Sequence, residues 1–191
     1  MLISSTDLTS FPILSLRSSS KIATISKLII NPYDLTIQAL KLAGRQLDDP
    51  KDSYLLPEDI REISPLGIII NDSEDIVSST DVIRLQKTLD LQFELIGLPV
   101  IDKQQRKVGK VVNYNIIAEN MMIYQLVVQR PMFKDFFDPE LLIHRSQIAE
   151  LSHDKVIIKN SLSQLREIER QDAIDNFVNP FRSTKSAKTS K

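Results

Sequence analysis

The chain lacks several residue types on which common protein chemistry depends. It has no cysteine, which excludes disulfide bonds and thiolate metal sites and fits a reducing compartment. Its four glycines form no glycine-rich loop that could hold a phosphate group. Its two histidines, His144 and His153, lack the three or four converging ligands that a zinc site needs. We therefore expect a protein that is not an enzyme, with no metal, no cofactor and no small-molecule substrate.

An excess of charge and long apolar runs are also missing. The 24 basic residues are balanced by 25 acidic ones, so the net charge of -1 gives no general attraction to nucleic acid or anionic membranes. No apolar run approaches the roughly 20 residues that cross a bilayer. Residues 1–7 lack the basic region and apolar run of a secretory signal. We expect a soluble protein of the cytoplasm.

Short β-branched segments, broken by polar clusters, run from Leu8 to about Asp75 and predict an all-β unit. Residues 8–14 are interpreted as a first strand. Residues 22–30 and 35–42 are interpreted as a hairpin, because Asn31-Pro32-Tyr33-Asp34 has the residues of a tight turn. Shorter strands are predicted at 54–56, 60–63 and 68–70.

The pattern changes to helical spacing after residue 78. Ser79-Thr80-Asp81 supplies capping residues, and Val82, Leu85 and Leu89 follow at the intervals of one helix face. The sequence predicts a short linker helix within residues 77–91.

A second β pattern, from about residue 93 to residue 160, repeats the first in the same order. The offset is about 87 for residues 95–101 against 8–14, and about 86 for the hairpin that ends near residue 128. In the second hairpin strands, Leu40 and Leu42 correspond to Leu126 and Val128, and this shared face is the predicted core.

A small residue also recurs in the first hairpin strands, at Ala23 and Gly109. We expect a β-bulge or a close approach of two backbones at both positions.

The second copy resembles the PRC-barrel family, a small β-barrel found in the photosynthetic reaction-centre H subunit and in a ribosome maturation factor. The resemblance rests on Ile96-Gly97-Leu98-Pro99-Val100-Ile101-Asp102, on Lys107-Val108-Gly109-Lys110-Val111, and on the later strand segments Leu126-Val127-Val128, Leu141-Leu142-Ile143 and Val156-Ile157-Ile158. It implies two tandem PRC-like β-barrels, at residues 1–76 and 92–160, joined by the linker helix. It also implies a non-catalytic adaptor that binds protein or helps to assemble a larger particle, and it implies no catalytic residue.

The β pattern stops at residue 161. Ser161-Leu162-Ser163-Gln164 resembles a capping box, and Leu162, Leu165 and Ile168 form an apolar stripe suited to docking on the second β unit. We interpret residues 161–191 as a C-terminal helix followed by a basic tail that is disordered when unbound. Asn179-Pro180-Phe181 in this segment matches a short peptide motif that some adaptor domains bind.

One predicted loop, between Pro131 and Pro139, is rich in large apolar residues. Such a loop either forms an exposed contact patch, covers a barrel end or packs on the other barrel. The corresponding loop of the first copy, residues 44–53, is rich in aspartate instead. The candidate partner-binding residues are Met132, Phe133, Phe136 and Phe137.

An alternative function is binding of RNA or a ribosomal particle through a cluster of basic residues. The candidates are Lys103, Arg106, Lys107 and Lys110, with Arg130, Lys134 and Arg145 in the same repeat. The competing interpretation is a solvated turn that Asp102 partly neutralises. Tyr114 and Tyr124 lie in predicted strands, where we expect them to be packed rather than available for stacking on bases.

Overall fold

A computed structural model describes residues 1–130 and 140–159, and the chain is mostly β-structure. The elements up to the middle of the chain are β1 (Leu2–Ser4), α1 (Ser5–Ser10), β2 (Pro12–Ser15), β3 (Ser20–Asn31), β4 (Thr36–Ala43), β5 (Tyr54–Leu55), β6 (Glu62–Ser64), β7 (Gly67–Ile70), β8 (Ile76–Val77) and α2 (Ile83–Asp90). The later elements are β9 (Pro99–Asp102), β10 (Lys107–Ile117), β11 (Met122–Gln129), β12 (Glu140–His144), β13 (Ile148–Leu151) and β14 (Val156–Ile158). Short 3-10 turns occupy Pro57–Asp59, Ser73–Asp75 and Arg145–Gln147.

The strands belong to one hydrogen-bonded sheet rather than to two closed barrels. Its main path runs β13-β14-β9-β10-β11-β4-β3-β2-β7-β6, and the path ends at β6 and β13 without closing. Closure needs every edge strand to find a partner, and these two edge strands have only three and four residues. The prediction of two tandem barrels is therefore not confirmed.

The two long hairpins, β3–β4 and β10–β11, have the same register. Each residue pair of the first hairpin has a counterpart 86 residues later in the second. Both ladders are interrupted at the same two places, by an extra residue at Ser26 and Gln38 in one hairpin and at Val112 and Tyr124 in the other. Below, the first half means residues 12–77 and the second half means residues 99–158.

The hairpin tips join the halves through two reciprocal backbone hydrogen bonds. The N–H of Ile37 donates to the carbonyl of Met121, and the N–H of Ile123 donates to that of Leu35, each at 2.8 Å. Leu35 and Met121 are buried, and both have a φ of 53°. The sheet therefore continues from one half into the other.

The predicted core positions are confirmed. Leu40, Leu42, Leu126 and Val128 are each at most 1% exposed, and they belong to one apolar cluster with residues from both halves. Alternation along the strands places one face of each hairpin in this shared core.

The predicted bulge at the small residues is also confirmed. The register with the preceding strand shifts between Lys21 and Ala23, and again between Lys107 and Gly109. A Cβ on Gly109 would overlap the carbonyl oxygen of Gln129 and would lie 2.7 Å from Val128 Cγ1. Only glycine lets the two backbones approach this closely.

The predicted strand at residues 8–14 is wrong at its start, because α1 occupies Ser5–Ser10. The hydroxyl of Ser4 accepts a hydrogen bond from the N–H of Asp7 and caps this helix. Leu8, in the same helix, is only 1% exposed. The strand begins only at Pro12.

A helix is present where the sequence predicted one within residues 77–91, namely α2, but its predicted cap is wrong. The N-cap is Val82, whose side chain makes no capping hydrogen bond. The carboxylate of Asp81 instead accepts hydrogen bonds from the N–H and the hydroxyl of Ser78, at 2.9 and 2.8 Å. These bonds close the preceding turn and lower the pKa of Asp81.

Helix α2 covers the face of the first half that points away from the shared core. Its Leu85 is 1% exposed and packs in a separate cluster with Ile29, Ala39, Tyr54 and Leu56. Val82 and Leu89 pack against the same cluster. The helix is thus part of the fold of the first half and not only a connection.

Two predictions fall outside the described residues, namely the C-terminal helix and tail at 161–191 and the Asn179-Pro180-Phe181 motif. Within residues 1–130 and 140–159, no helix combines the length and the apolar character needed to span a bilayer.

Candidate functional site

The turn between β9 and β10 carries Lys103 and Arg106, two of the candidate RNA-binding residues, and Asp102 organises it. The Asp102 carboxylate is fully buried and accepts hydrogen bonds from the backbone N–H groups of Gln104 and Arg106, at 2.9 and 3.0 Å. It also accepts one from Arg106 Nε at 2.8 Å. Arg106 is therefore engaged in holding its own turn, although about half of its side chain is exposed.

The counterpart turn in the first half uses a hydroxyl for the same purpose. Ser15 is 3% exposed, and its Oγ accepts a hydrogen bond from the N–H of Ser18 at 3.1 Å. A buried side-chain oxygen at this position thus stabilises both turns, which favours a structural role for Asp102.

Among the described residues, Lys103, Lys107 and Lys110 make no hydrogen bond of the kind by which Arg106 stabilises the turn. All three lysines are exposed. The bulge before Gly109 places Val108 in the core while Lys107 and Lys110 both face solvent. The basic surface that remains is Lys103, Lys107 and Lys110.

The two tyrosines differ. Tyr114 is packed as predicted, being 3% exposed, and burial together with the nearby carboxylate of Glu94 raises its pKa well above the usual range. The prediction for Tyr124 is wrong, because this residue is 38% exposed. It occupies the extra position of the bulge in β11, which turns it outward. Its ring contacts the ring of His144 edge to face, with centroids 4.5 Å apart.

The histidines have structural contacts. Nδ1 of His144 lies 2.6 Å from Ser146 Oγ and accepts from the Ser146 N–H, which caps the 3-10 turn at Arg145–Gln147. His153 packs edge to face on Phe93. In the part of the chain that the structure describes, no group of three or more metal-ligating side chains comes together.

The candidate partner-binding residues Met132, Phe133, Phe136 and Phe137 lie outside the described residues, as does Lys134. The structure does describe the strands on which this loop is mounted. Five residue pairs, from Gln125–His144 to Gln129–Glu140, form the β11–β12 ladder, whereas the β4–β5 ladder of the first half has two pairs.

Sequence reasoning missed one partly exposed surface, which we call the β12 face: Tyr124, Leu142 and His144. Leu142 is 55% exposed and is paired with Val127, while His144 follows on the same side of β12 and contacts Tyr124. The available signal was the strand Leu141-Leu142-Ile143, in which alternation must turn one large apolar residue away from the core.

A second feature missed from the sequence is a cavity of about 220 Å³ between α1, β3, β10 and residues 93–96. Its polar lining includes Ser5, whose Oγ bonds to Asn113 Oδ1, and the ion pair of Lys27 with Glu94. The cavity could not be predicted from the sequence, because α1 forms one of its walls and α1 itself was not predicted.

Neither a protein-family model nor a curated protein sequence matches this chain significantly.

Proposed function

We propose that this chain is a non-catalytic adaptor of the cytoplasm that binds a protein partner through the loop between β11 and β12. The residues in contact with the partner would be Met132, Phe133, Phe136 and Phe137. Aromatic residues and methionine are enriched at protein interfaces, and loops on rigid strands commonly carry binding functions.

The observation that carries this proposal is the unequal length of two corresponding ladders. The connections that follow β4 and β11 each contain ten residues, 44–53 and 130–139. The five-pair ladder of β11–β12 gives the second connection a longer rigid stem than the two-pair ladder of β4–β5 gives the first. A preorganised stem lowers the entropy lost when a loop binds its partner.

We further propose that the halves are two copies of one β unit related to the PRC-barrel family, with units at 1–76 and 92–160. The identical register and bulges of the two hairpins support the duplication. So do the parallel pairs, β2 with β7 and β9 with β14, which occupy corresponding places. Because the sheet is open, the PRC-barrel part of the proposal rests on the sequence resemblance.

Co-purification with paired variants tests the adaptor function. Phe133→Ser combined with Phe136→Ser should abolish recovery of the partner from native cells, while circular dichroism stays unchanged. The matched control is Asp48→Ser with Lys51→Ser, two exposed positions on the corresponding loop of the first half. Equal recovery of the same partner by all three proteins would contradict the proposal.

Binding of RNA is the second candidate, favoured by the exposed side chains of Lys103, Lys107 and Lys110. If these lysines contact phosphates of single-stranded RNA, log K should fall with log salt concentration by about 0.7 for each contact. Lys107→Ala with Lys110→Ala should reduce that slope, and Lys21→Ala, at the position corresponding to Lys107, should leave it unchanged. Absence of salt-dependent RNA binding by the purified protein excludes this candidate.

A further inference from the structure

The β12 face corresponds to a surface that is covered in the first half. The pair Lys41–Tyr54 corresponds to Val127–Leu142 in the two ladders. Tyr54 is 4% exposed beneath α2, whereas Leu142 is 55% exposed. The same strand framework thus carries an amphipathic helix in one half and an exposed leucine in the other.

The last described residue places the rest of the chain beside this face. The N–H of Lys159 donates to the carbonyl of Gln147 at 2.8 Å, and its Nζ donates to that of Ser146 at 2.6 Å. Ser146 in turn contacts His144, a residue of the β12 face. The three residues from Lys159 to Leu162 span at most about 10 Å, so the following segment starts within reach of Tyr124 and Leu142.

The segment that follows has the residue pattern of a helix with one apolar side. Leu162, Leu165 and Ile168 recur at helical intervals after the capping-box sequence that begins at Ser161. The segment 161–170 has ten residues, close to the eight of α2. The residues of α2 and its N-cap that pack on the sheet, Val82, Leu85 and Leu89, have similar spacing.

We propose that residues 161–170 bind the β12 face as an amphipathic helix, with Leu165 against Leu142, as α2 binds the corresponding face of the first half. The contact is intramolecular. It completes the second half with the chain's own C-terminal segment and leaves the loop at 131–139 for a partner. It is independent of the proposed adaptor function, because it requires no other protein.

The absence of cysteine in the natural chain allows a direct test. Leu142→Cys combined with Leu165→Cys should form an intramolecular disulfide on mild oxidation of the full chain, at a rate independent of protein concentration. The matched control is Leu66→Cys with Leu165→Cys, since Leu66 is an exposed leucine of the first half. We expect the Leu142 pair to react about tenfold faster, because docking raises the effective concentration of one thiol near the other.

Three outcomes would overturn the proposal. They are equal rates for the two pairs, a disulfide-linked dimer whose yield rises with concentration, and protection of the Leu142 cysteine only when another protein is added. The dimer would identify a second copy as the occupant, and protection would identify a separate partner.

Hydrogen exchange provides a second measurement without cysteines. Leu165→Asp with Ile168→Asp should speed amide exchange in residues 140–144 several-fold, whereas Ser186→Asp should not. Unchanged exchange in the double variant would also overturn the proposal. Neither measurement depends on the loop at 131–139, so docking can fail while the adaptor function holds, and the reverse.

Discussion

At the scale of single residues, close backbone contact explains where the two halves need glycine. Gly109 meets the carbonyl of Gln129, the residue that follows Val128 in β11. In the first half the corresponding residue is Ala23, and the glycine lies across from it at Gly44, where an added Cβ would be 2.9 Å from the Ile22 carbonyl. A glycine thus permits the close approach in both hairpins, within β10 in one and directly after β4 in the other.

This difference predicts unequal effects of the same substitution. Gly109→Ala should lower the free energy of unfolding by roughly 2–3 kcal/mol, because the new methyl group overlaps backbone atoms that cannot move alone. Gly44→Ala, with its milder contacts, should cost less. Urea unfolding followed by circular dichroism measures both. A larger loss for Gly44→Ala would show that the β10–β11 contact is more adaptable than its geometry indicates.

Arg106 illustrates how a charged residue can look functional in a sequence and be structural in the fold. Arg106→Ala should destabilise the protein by about 1–3 kcal/mol, because the buried Asp102 carboxylate loses its guanidinium partner. Lys103→Ala, at an exposed position of the same turn, should change stability by less than about 0.5 kcal/mol. Thermal or urea unfolding of both variants measures the two losses of stability. Equal losses would show that Arg106, like Lys103, does not stabilise the fold.

At the scale of elements, α2 has a defined contribution through one side chain. Leu85→Ala should cost about 2–4 kcal/mol, since Leu85 is 1% exposed among Ile29, Tyr54 and Leu56. Ile83→Ala is the control, because Ile83 lies on the same helix and is 71% exposed. Chemical denaturation should separate the two variants clearly. Similar losses would mean that the helix does not bury its Leu85 side as described.

The sequence predicted those elements whose pattern is periodic. The two hairpins, the core face at Leu40 and Leu126, and the helix that contains Leu85 follow from spacing alone. The first helix did not, because α1 has six residues and depends on the Ser4 cap and on burial of Leu8. Such a short helix is fixed by tertiary contacts rather than by a periodic pattern.

The candidate sites likewise combine features that the sequence predicts with features that only the three-dimensional structure shows. Asp102 was foreseen as the partner of the basic turn, but its full burial, which commits Arg106 to the fold, needs the three-dimensional packing. The exposure of Tyr124 depends on a β-bulge in which Tyr124 is the extra residue of β11, and no residue type in the sequence predicts that bulge. The sheet is open, with β6 and β13 at the ends of its main path, and this long-range strand pairing is not determined by local sequence patterns.

At the scale of the whole molecule, the reciprocal hydrogen bonds and the shared core predict one cooperative unit. The amide hydrogens of Leu28 in β3 and Tyr114 in β10 should exchange with the same free energy of opening, because unfolding either half exposes the common cluster. Native-state hydrogen exchange measures this. A free energy of opening that is several kcal/mol lower at one of these amides than at the other would show that the halves unfold separately.

The surfaces differ even though the two hairpins share a register. In the first half α2 covers the outer face and the β4–β5 loop is rich in aspartate. In the second half the corresponding loop has four large apolar residues on a longer stem. A common scaffold with one specialised half is the arrangement that supports the proposed adaptor function.

The adaptor function is tested most directly by site-specific photo-crosslinking in cells. A photoreactive phenylalanine analogue at Phe136 should crosslink to a protein, and the same analogue at Asp48, on the corresponding loop of the first half, should not. Crosslinking from Phe136 to RNA, equal crosslinking from both positions, or none from Phe136 would contradict the account.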